Sequence, residues 1–272
     1  MFEEYLNQWR LKADGDPIIT LGSRLLPVRL NGVPAMLKIA TEDEEKFGGL
    51  LMEWWDGDGA ARVLARDGDA LLLERAEGTI SLIEMAQSGR DDEASRIICQ
   101  VVARLHAPRN RVRPELIPLK RWFQELEPAA AKHGGILTAC ATAARELLAS
   151  PQDVVALHGD VHHGNILDFG PRGWLAIDPK GLIGERGFDY ANLFCNPDLA
   201  HPAHPVATVP SRFLRRLEVV GKAAGLERKR LLQWILAWTG LSAAWFIGDG
   251  ESAKRDFAVA ELAAAELAQI AP

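Results

Sequence analysis

The stretch from His158 to Asn165 reads H-G-D-V-H-H-G-N, and a second aspartate, Asp178, follows 13 positions after Asn165. Midway between Asn165 and Asp178, positions 170–173 read G-P-R-G, a strong turn signal with short apolar runs on both sides. This pattern predicts a β-hairpin centred on the turn. Asn165 and Asp178 are then expected to lie opposite each other at the open end of the hairpin.

The residue types in this pattern predict phosphoryl transfer. The carboxylate of Asp160 can accept or orient the proton of an acceptor hydroxyl. Asn165 and Asp178 offer hard oxygen ligands, which suit Mg²⁺ when the rest of its shell is water and phosphate. We therefore predict that Asn165 and Asp178 hold Mg²⁺ beside a nucleotide and that Asp160 acts on the acceptor.

Size and charge limit the class of protein. At 272 residues the chain can bury one full core and is expected to form one domain or two lobes. The formal net charge is −6 and no basic run appears, so we expect no nucleic-acid partner. The most apolar stretch, 231–247, covers only 17 residues and includes Gln233 and Thr239, so we expect no membrane span.

The cysteines and the start of the chain bear on the compartment. The three cysteines are widely spaced and form no Cys-x-x-Cys pair, which fits a reducing environment. The first ten residues lack the apolar segment of a signal peptide. We therefore expect a cytoplasmic protein.

The order of strand and helix patterns predicts a fold of the α/β class (α+β) with two lobes. Strand patterns at 35–40 and 70–76 dominate the first part of the chain, and helix patterns dominate the rest. We predict a small β-rich lobe at residues 1–76, ending in a hinge near 74–78, and a larger helical lobe at residues 77–272. A nucleotide is expected in the cleft between the lobes.

The larger lobe carries several clear helix patterns. Apolar periodicity predicts a helix that ends near His106, and a long proline-containing loop is expected at 196–210. Three further helices are expected at 119–131, 137–149 and 252–270.

Lys38 is the only charged residue of its predicted strand, A-M-L-K-I-A. In a strand, Leu37 and Ile39 face one way and Lys38 faces the other. Two interpretations remain open for Lys38: a solvated side chain, or a contact to nucleotide phosphates.

Several motifs along nearly the whole chain carry a family resemblance. They are L-L-L-E-R, H-G-D-V-H-H-G-N, W-L-A-I-D-P-K-G, F-D-Y-A-N and L-S-A-A-W-F-I-G-D-G. With Lys38, these motifs resemble the aminoglycoside phosphotransferases, and among them the branch of streptomycin 6-kinases and hydroxyurea kinases. Gly164 is a departure, because this branch often has Glu there.

The resemblance implies a protein-kinase-like fold and ATP-dependent phosphorylation with Mg²⁺. It implies that Asp160 is the catalytic base and that Asn165 and Asp178 bind the metal. The residues implied to contact or arrange the nucleotide are Lys38 at the α- and β-phosphates, Glu45 orienting Lys38 with Glu44 as the alternative, and the backbone of Glu74 and Ala76 at the adenine.

The resemblance also implies the acceptor, namely streptomycin phosphorylated at the 6-hydroxyl of its streptidine ring, which would inactivate the antibiotic. Streptomycin carries two guanidinium groups, which carboxylates bind well. Hydroxyurea or another small acceptor is the alternative. The residues expected at the acceptor site are Glu185, Asp198, Trp245, Asp249 and Glu251.

Some of these residues also have purely structural interpretations. Trp245 continues a helical stripe with Trp234 and Trp238, so a core position is equally compatible with its spacing. Asp189 is expected to hold the loop around Asp160 by hydrogen bonds, with a substrate contact as the alternative. His158 is expected to bond the backbone there, with proton transfer as the alternative.

Two functions other than that of a kinase would use some of these residues. His158, His162 and His163 with the two aspartates could form a zinc site of a hydrolase. That site would leave Asn165 and Lys38 without a role. A nucleotide-binding module without catalysis would be expected to lack one of the two carboxylates, and both are present.

Overall fold

The computed structural model describes residues 2–20, 22–41 and 43–270, with the side chains of residues 43–46 outside this description. The first part of the chain forms an antiparallel sheet with two helices. Its elements are α1 (Glu3–Gln8), β1 (Leu11–Ala13), β2 (Ile18–Ile19), β3 (Ser23–Leu30), β4 (Val33–Ala40), α2 (Asp43–Trp55), β5 (Val63–Asp67) and β6 (Ala70–Glu74).

The strand order in this sheet is β1-β3-β4-β6-β5, with β2 paired to the start of β3. All these pairings are antiparallel. Asn31 and Gly32 form the tight turn between β3 and β4, and both have positive φ angles, 51° and 85°. A two-residue hairpin turn of this type needs left-handed backbone at both positions, which Asn and Gly tolerate best.

The two faces of the sheet have different partners. Leu37 is fully buried on the face that packs against α1, together with Val28 and Leu72. Lys38 pairs with Leu71 across β4 and β6, so both lie on the opposite face, toward α2. Lys38 is only 7% exposed. The alternation of β4 is as predicted, and the solvated interpretation of Lys38 is wrong.

The rest of the chain is mostly helical. Its elements are α3 (Leu82–Met85), α4 (Asp91–Leu105), β7 (Ile117–Pro118), α5 (Leu119–Trp122), α6 (Leu126–His133), α7 (Ile136–Ala149), β8 (Val154–Leu157), β9 (Ile166–Asp168), β10 (Trp174–Ala176), β11 (Leu182–Glu185), α8 (Phe188–Ala191), α9 (Pro210–Ala224), α10 (Arg228–Gly248) and α11 (Lys254–Ala268). The helix predicted at 119–131 is split into α5 and α6. Pro128 explains the break, because it has no N–H to donate to the carbonyl of Gln124 and its ring would clash with that carbonyl in a continuous helix, whereas it is tolerated in the first turn of α6.

Helix α10 is the central helix of this lobe. Its 21 residues are apolar on nearly all sides, and it packs against α7, α8 and α11. By length and composition alone α10 could cross a membrane, but 72% of its most apolar window is buried inside the fold. A helix that is apolar all round is typical of a protein core, and here the rest of the protein buries the helix.

The hairpin of β9 and β10 is present, with its register shifted by one residue from the prediction. Asp168 pairs with Trp174, so the loop contains five residues and is centred on position 171. The Ile177 N–H donates to Asn165 O at 2.9 Å, so Ile177 and not Asp178 lies opposite Asn165. Asp178 follows with a φ of 63°, which turns the chain out of the strand direction.

The hairpin also contacts the first part of the chain. Ala176 exchanges backbone hydrogen bonds with the loop after α2, through Gly59 O and Ala61 N–H, both at 2.9 Å. Gly78 N–H donates to Asp168 O at 3.0 Å, which ties the segment after β6 to the hairpin. Leu71 and Leu73 of β6 belong to the main core of the larger lobe. The division at residue 76 stays a prediction.

Candidate active site

Asp189 of α8 fixes the loop that follows β8. It is 1% exposed, and its two oxygens accept the N–H groups of His158 at 2.9 Å and Gly159 at 2.8 Å. His106 lies 2.7 Å from the same carboxylate. A carboxylate with this many donors is strongly held and holds its donors in turn. Asp189 is therefore the structural carboxylate expected from the sequence.

His158 joins this loop to the hairpin. Its Nε2 donates to Ile177 O at 2.8 Å, and its Nδ1 then accepts the N–H of Asp160 at 3.2 Å. Burial lowers the pKa of the His158 imidazole below its usual range, so the ring is neutral with its proton on Nε2. His158 thus positions the backbone of Asp160, as expected, and carries no proton to the acceptor.

The carboxylate of Asp160 is held by two side-chain amides. Asn192 donates to Oδ1 at 2.8 Å, and Asn165 donates to Oδ2 at 3.1 Å and to the Asp160 carbonyl at 2.9 Å. The Asp160 side chain is still 31% exposed. The hydrogen bonds from Asn165 and Asn192 therefore fix the orientation of the carboxylate, and its exposed part can meet an acceptor.

A second buried amide sets the orientation of Asn192. Asn196 Nδ2 donates to Asn192 Oδ1 at 2.8 Å, so the Asn192 nitrogen must face Asp160. Arg216, which is 2% exposed, donates to the carbonyl of Asn196 at 2.7 Å and pairs with Asp91 at 2.6 Å. A buried ion pair on two helices, α4 and α9, thus supports the residues behind Asp160.

A cleft of about 550 Å³ lies between the sheet and the hairpin. Lys38 and Asp178 contact each other in this cleft through Nζ and Oδ1. Glu74, Arg75 and Ala76, the residues of the predicted hinge, are part of its lining. The cleft suits the flat, apolar face of an adenine because much of its lining is apolar: Leu25, Met36, Met52, Leu73, Leu167, Phe169 and Ile177.

Asn165 and Asp178 together offer donors that fit a hard divalent cation. Asn165 uses its amide nitrogen on Asp160, which directs its amide oxygen away from that residue. Asp178 supplies a carboxylate in the cleft itself. One amide oxygen and one carboxylate are a usual protein contribution to Mg²⁺, which takes its other ligands from phosphates and water.

Glu45 lies in α2, but its side chain is outside the described part of the structure, as is that of Glu44, so the choice between them stays a prediction. The Glu74 carboxylate accepts the N–H of Arg62 at 2.6 Å and contacts Arg172. The Glu74 side chain is thus bonded within the protein, and the contact of the Glu74 backbone with adenine stays a prediction.

Two further cavities, of about 560 and 360 Å³, open beside Asp160. Both are bordered by Asp160, Trp238, Trp245 and Asp249, so two of the predicted acceptor residues do meet the candidate base. Trp122 packs edge-to-face on Trp245 with ring centroids 5.6 Å apart. Trp245 is half-buried and forms a wall of the site, whereas Trp234 is a core residue.

Glu185 is not at this site. It is 3% exposed, and its oxygens accept from Arg230 at 2.5 and 2.8 Å, from Trp234 Nε1 at 2.7 Å and from the Gln152 N–H at 2.9 Å. Both oxygens of the Glu185 carboxylate therefore already accept hydrogen bonds from other groups of the protein. The prediction of Glu185 as a substrate residue is therefore wrong, and it is instead a structural carboxylate that joins β11 to α10.

The prediction of Asp198 as a substrate residue is wrong for the same reason, whereas that of Glu251 stays a prediction. Asp198 is 1% exposed, and it accepts the N–H groups of Val206 at 2.7 Å and Ala207 at 3.0 Å, which folds the loop before α9. Glu251 is exposed, and its N–H closes the end of α10 on Phe246 O at 2.7 Å. Its side chain lines neither cavity beside Asp160.

The three histidines of the zinc alternative do not converge. His158 bonds the hairpin, His162 accepts the Gly164 N–H on Nδ1 at 3.0 Å, and His163 is buried 4.0 Å from Asp91. Within residues 2–20, 22–41 and 43–270, no three His, Cys, Asp or Glu side chains are grouped to hold a metal ion.

Gly164 stands where the resembled branch often has Glu. A Cβ at Gly164 would lie 3.0 Å from the His162 ring, so a Glu there would displace that ring.

Sequence reasoning missed several residues of the site. Glu125 and Trp122 line the larger cavity beside Asp160, and no local pattern marks them. Asn192 and Lys180 could have been found, since both stand in motifs that carry the family resemblance, F-D-Y-A-N and W-L-A-I-D-P-K-G. The sequence alone does not show that these motifs lie near Asp160 in the folded protein.

Among solved structures, one with the same fold is the choline/ethanolamine kinase family protein of Mesorhizobium loti. The TM-score is 0.64 at 14% identity, over 94% of this chain and 88% of that chain. This confirms the protein-kinase-like fold. In this fold, a loop aspartate that borders a cavity beside a nucleotide-sized cleft is an arrangement suited to phosphoryl transfer.

Residues 8–250 match the family described as aminoglycoside/hydroxyurea antibiotic resistance kinase. The chain belongs to this family, which confirms the resemblance. It is 56% identical over 245 residues to the streptomycin 3''-kinase of Klebsiella pneumoniae, covering 90% of this chain and 92% of that protein. It is 32% identical over 268 residues to the streptomycin 6-kinase of Streptomyces glaucescens, covering 93% and 84%.

Proposed function

We propose that this protein transfers the γ-phosphoryl group of ATP to a hydroxyl group of streptomycin and thereby inactivates the antibiotic. The observation that carries the proposal is the location of Asp160. Its carboxylate is held by Asn165 and Asn192 at the border of both acceptor cavities, and Lys180 lines the larger of these cavities as well as the nucleotide cleft.

The chain's own residues have the following roles in this proposal. Glu74 to Ala76 bind the adenine through their backbone, and Lys38 binds the phosphates. Asp160 orients the acceptor hydroxyl and takes its proton as the new bond forms. Asn165 and Asp178 would hold Mg²⁺, which neutralises phosphate charge during transfer. Most of the rate enhancement in such a site comes from positioning and fixed charges.

The lining of the larger acceptor cavity supports a cationic substrate. Three tryptophans, Trp122, Trp238 and Trp245, offer flat faces, and guanidinium groups stack well on indole rings. Glu125 and Asp249 add two carboxylates at the same cavity. Streptomycin has two guanidinium groups, whereas hydroxyurea is small and neutral and needs neither feature.

The position of phosphorylation is proposed from the relatives. The 3''-kinase is much more similar to this chain than the 6-kinase, at 56% against 32% identity. We therefore favour the 3''-hydroxyl over the 6-hydroxyl that the sequence motifs suggested. The Mg²⁺ requirement and the cytoplasmic location stay predictions.

A panel of acceptors tests the proposal. Purified protein is incubated with Mg²⁺, γ-labelled ATP and either streptomycin, hydroxyurea or a neutral polyol. Label should pass to streptomycin alone, and coupling between phosphorus and the sugar proton in the NMR spectrum should assign the product to the 3'' position. Transfer to hydroxyurea without transfer to streptomycin would overturn the acceptor while keeping the kinase chemistry.

A further inference from the structure

Lys180 is the one described residue that lines both the nucleotide cleft and the larger acceptor cavity. The other residues around the cleft, Lys38 and Asp178 among them, border the nucleotide side only. Asp160, Glu125 and Asp249 border the acceptor side only. A group that moves from one cavity to the other therefore passes the side chain of Lys180.

The backbone of Lys180 is fixed against the catalytic loop. Its N–H donates to His158 O at 2.7 Å. Gly159 has a φ of 88°, and a Cβ there would lie 3.1 Å from the Cβ of Lys180. This close approach keeps the base of the Lys180 side chain beside Asp160.

The opposite side of the same segment is held by α2. A Cβ at Gly48 would lie 1.9 Å from the carbonyl oxygen of Pro179, so the two backbones meet where only glycine fits. Gly181 has a φ of 69°, and a Cβ there would lie 2.9 Å from Phe47. Residues 178–181 are thus clamped between α2 and the catalytic loop, and Lys180 projects from a rigid segment.

We propose that the Lys180 ammonium contacts the phosphoryl group during its transfer, and that Lys180 is a catalytic residue distinct from Lys38. This inference rests on the proposed kinase function. The acceptor oxygen forms a bond to the γ-phosphorus while the bond from that phosphorus to the β,γ-bridging oxygen breaks. The electron pair of the broken bond stays on the bridging oxygen of ADP, and the hydroxyl proton goes to Asp160.

The chemistry of this step explains why an ammonium is needed between the two cavities. Negative charge on the transferring group and on the bridging oxygen changes most at the midpoint of the transfer. A fixed cation there acts on the transition state more than on the bound substrates. Lys38, on the nucleotide side, can bind the phosphates before and after transfer alike.

Kinetics provide the first test. Lys180→Met should lower kcat about a hundred- to a thousandfold, the loss typical of removing one donor aimed at developing charge. KM for ATP and for streptomycin should change less than about threefold, because the contacts that bind the substrates equally in the ground state and in the transition state are retained. Lys180→Arg should restore part of kcat. Lys222→Met, an exposed lysine of α9, is the matched control and should leave all three constants unchanged.

Nucleotide binding provides a readout that needs no turnover. Calorimetry on wild type and Lys180→Met is carried out with ADP and with an ATP analogue that has an imido group between the β- and γ-phosphorus. ADP affinity should be equal in the two proteins, and affinity for the analogue should fall by about two- to threefold in the variant, a ground-state loss much smaller than the loss of kcat. Unchanged affinity for the analogue together with unchanged kcat would overturn the proposal, and so would equal losses for both ligands.

The outcomes separate this inference from the proposed acceptor. Suppose that wild type does not phosphorylate streptomycin, while Lys180→Met binds ADP normally and the analogue more weakly. The role of Lys180 then stands and the proposed acceptor is wrong. If Lys180→Met shows a lowered melting temperature, Lys180→Gln replaces it in the same two measurements. Streptomycin transfer that survives at wild-type rate in either folded variant would contradict the role of Lys180.

Discussion

The side-chain nitrogen of Asn192 donates a 2.8 Å hydrogen bond to Oδ1 of Asp160. Asn192 is 3% exposed and is itself oriented by Asn196, so the bond belongs to a fixed buried relay. This arrangement makes Asn192 a positioning residue for the candidate base. Its substitution should affect the acceptor step without affecting nucleotide binding.

We predict that Asn192→Ala lowers kcat about ten- to a hundredfold, because a misplaced catalytic group loses much of its effect. KM for ATP should stay within about twofold. Asn192→Asp should be worse than Asn192→Ala, since it places a like charge against Asp160. Steady-state kinetics on the three proteins measure both constants.

The control for this prediction is a double-mutant cycle. In the Asp160→Ala background, Asn192→Ala should cause little further loss of kcat, because it acts only through Asp160. Equal losses in the two backgrounds would mean that Asn192 is merely structural. Thr239→Val removes another buried hydrogen bond of the same lobe, to Leu236 O, and should leave kcat unchanged.

The second prediction concerns Asp160 itself. Asp160→Ala should lose at least about a hundredfold in kcat, the lower end of what a general base contributes. Nucleotide affinity, measured by calorimetry with ADP, should change little because Asp160 does not line the nucleotide cleft. A variant that turns over streptomycin at near-normal rate would exclude Asp160 as the base.

The third prediction separates the carboxylates at the acceptor site from the structural ones. Asp249→Asn or Glu125→Gln should raise KM for streptomycin about tenfold, the effect of losing one charge-assisted contact. KM for ATP should not change. Glu261→Gln in α11, an exposed carboxylate away from both cavities, is the control.

Glu185→Gln should behave differently from the acceptor variants. It breaks a buried pair with Arg230 and leaves that guanidinium without its carboxylate, which typically costs about 3–5 kcal/mol. We predict a lower melting temperature and an unchanged KM for streptomycin in the folded fraction. A raised KM for streptomycin at unchanged stability would mean that Glu185 binds the acceptor.

The fourth prediction concerns Asp256 of α11, which is fully buried. Burial raises the pKa of its carboxyl from 3.8 to about 6. Because the pKa in the folded state is higher than in the unfolded state, stability falls as the pH rises from about 4 to about 6. At pH 8 the ionised group costs about 3 kcal/mol, from about two units at about 1.4 kcal/mol each.

Asp256→Asn should therefore raise the free energy of unfolding at pH 8 by up to about 3 kcal/mol. The gain should shrink as the pH is lowered toward 5, because wild-type Asp256 then binds its proton. Urea denaturation of both proteins at pH 5, 6.5 and 8 measures the difference. A gain that is independent of pH would mean that the ionisation of Asp256 is not its cause.

Local sequence patterns were sufficient for much of the fold and for the centre of the site. The spacing of Asp160, Asn165 and Asp178 around a G-P-R-G turn predicted the hairpin correctly. It missed the register by one residue because the five-residue loop and the left-handed backbone of Asp178 are settled by contacts beyond the hairpin. The alternation of β4 placed Lys38 on the correct face.

Long-range partners explain what the sequence could not predict. Glu185 and Asp198 are acidic residues in loop-like positions, and composition alone made them candidates for a cationic substrate. Their actual partners, Arg230 for Glu185 and the N–H groups of residues 206–208 for Asp198, depend on how distant segments pack. Glu125 and Trp122 reach the site for the same reason, and no local pattern could indicate it.

A crystal structure of the protein with the imido analogue of ATP, Mg²⁺ and streptomycin tests the central claim most directly. We predict adenine against the backbone of Glu74 to Ala76, the metal on Asn165 and Asp178, and a streptomycin hydroxyl within hydrogen-bonding distance of Asp160. Guanidinium groups of the antibiotic should lie among Trp122, Trp245 and Asp249. Adenine bound away from the hinge, or streptomycin bound away from Asp160, would contradict the account.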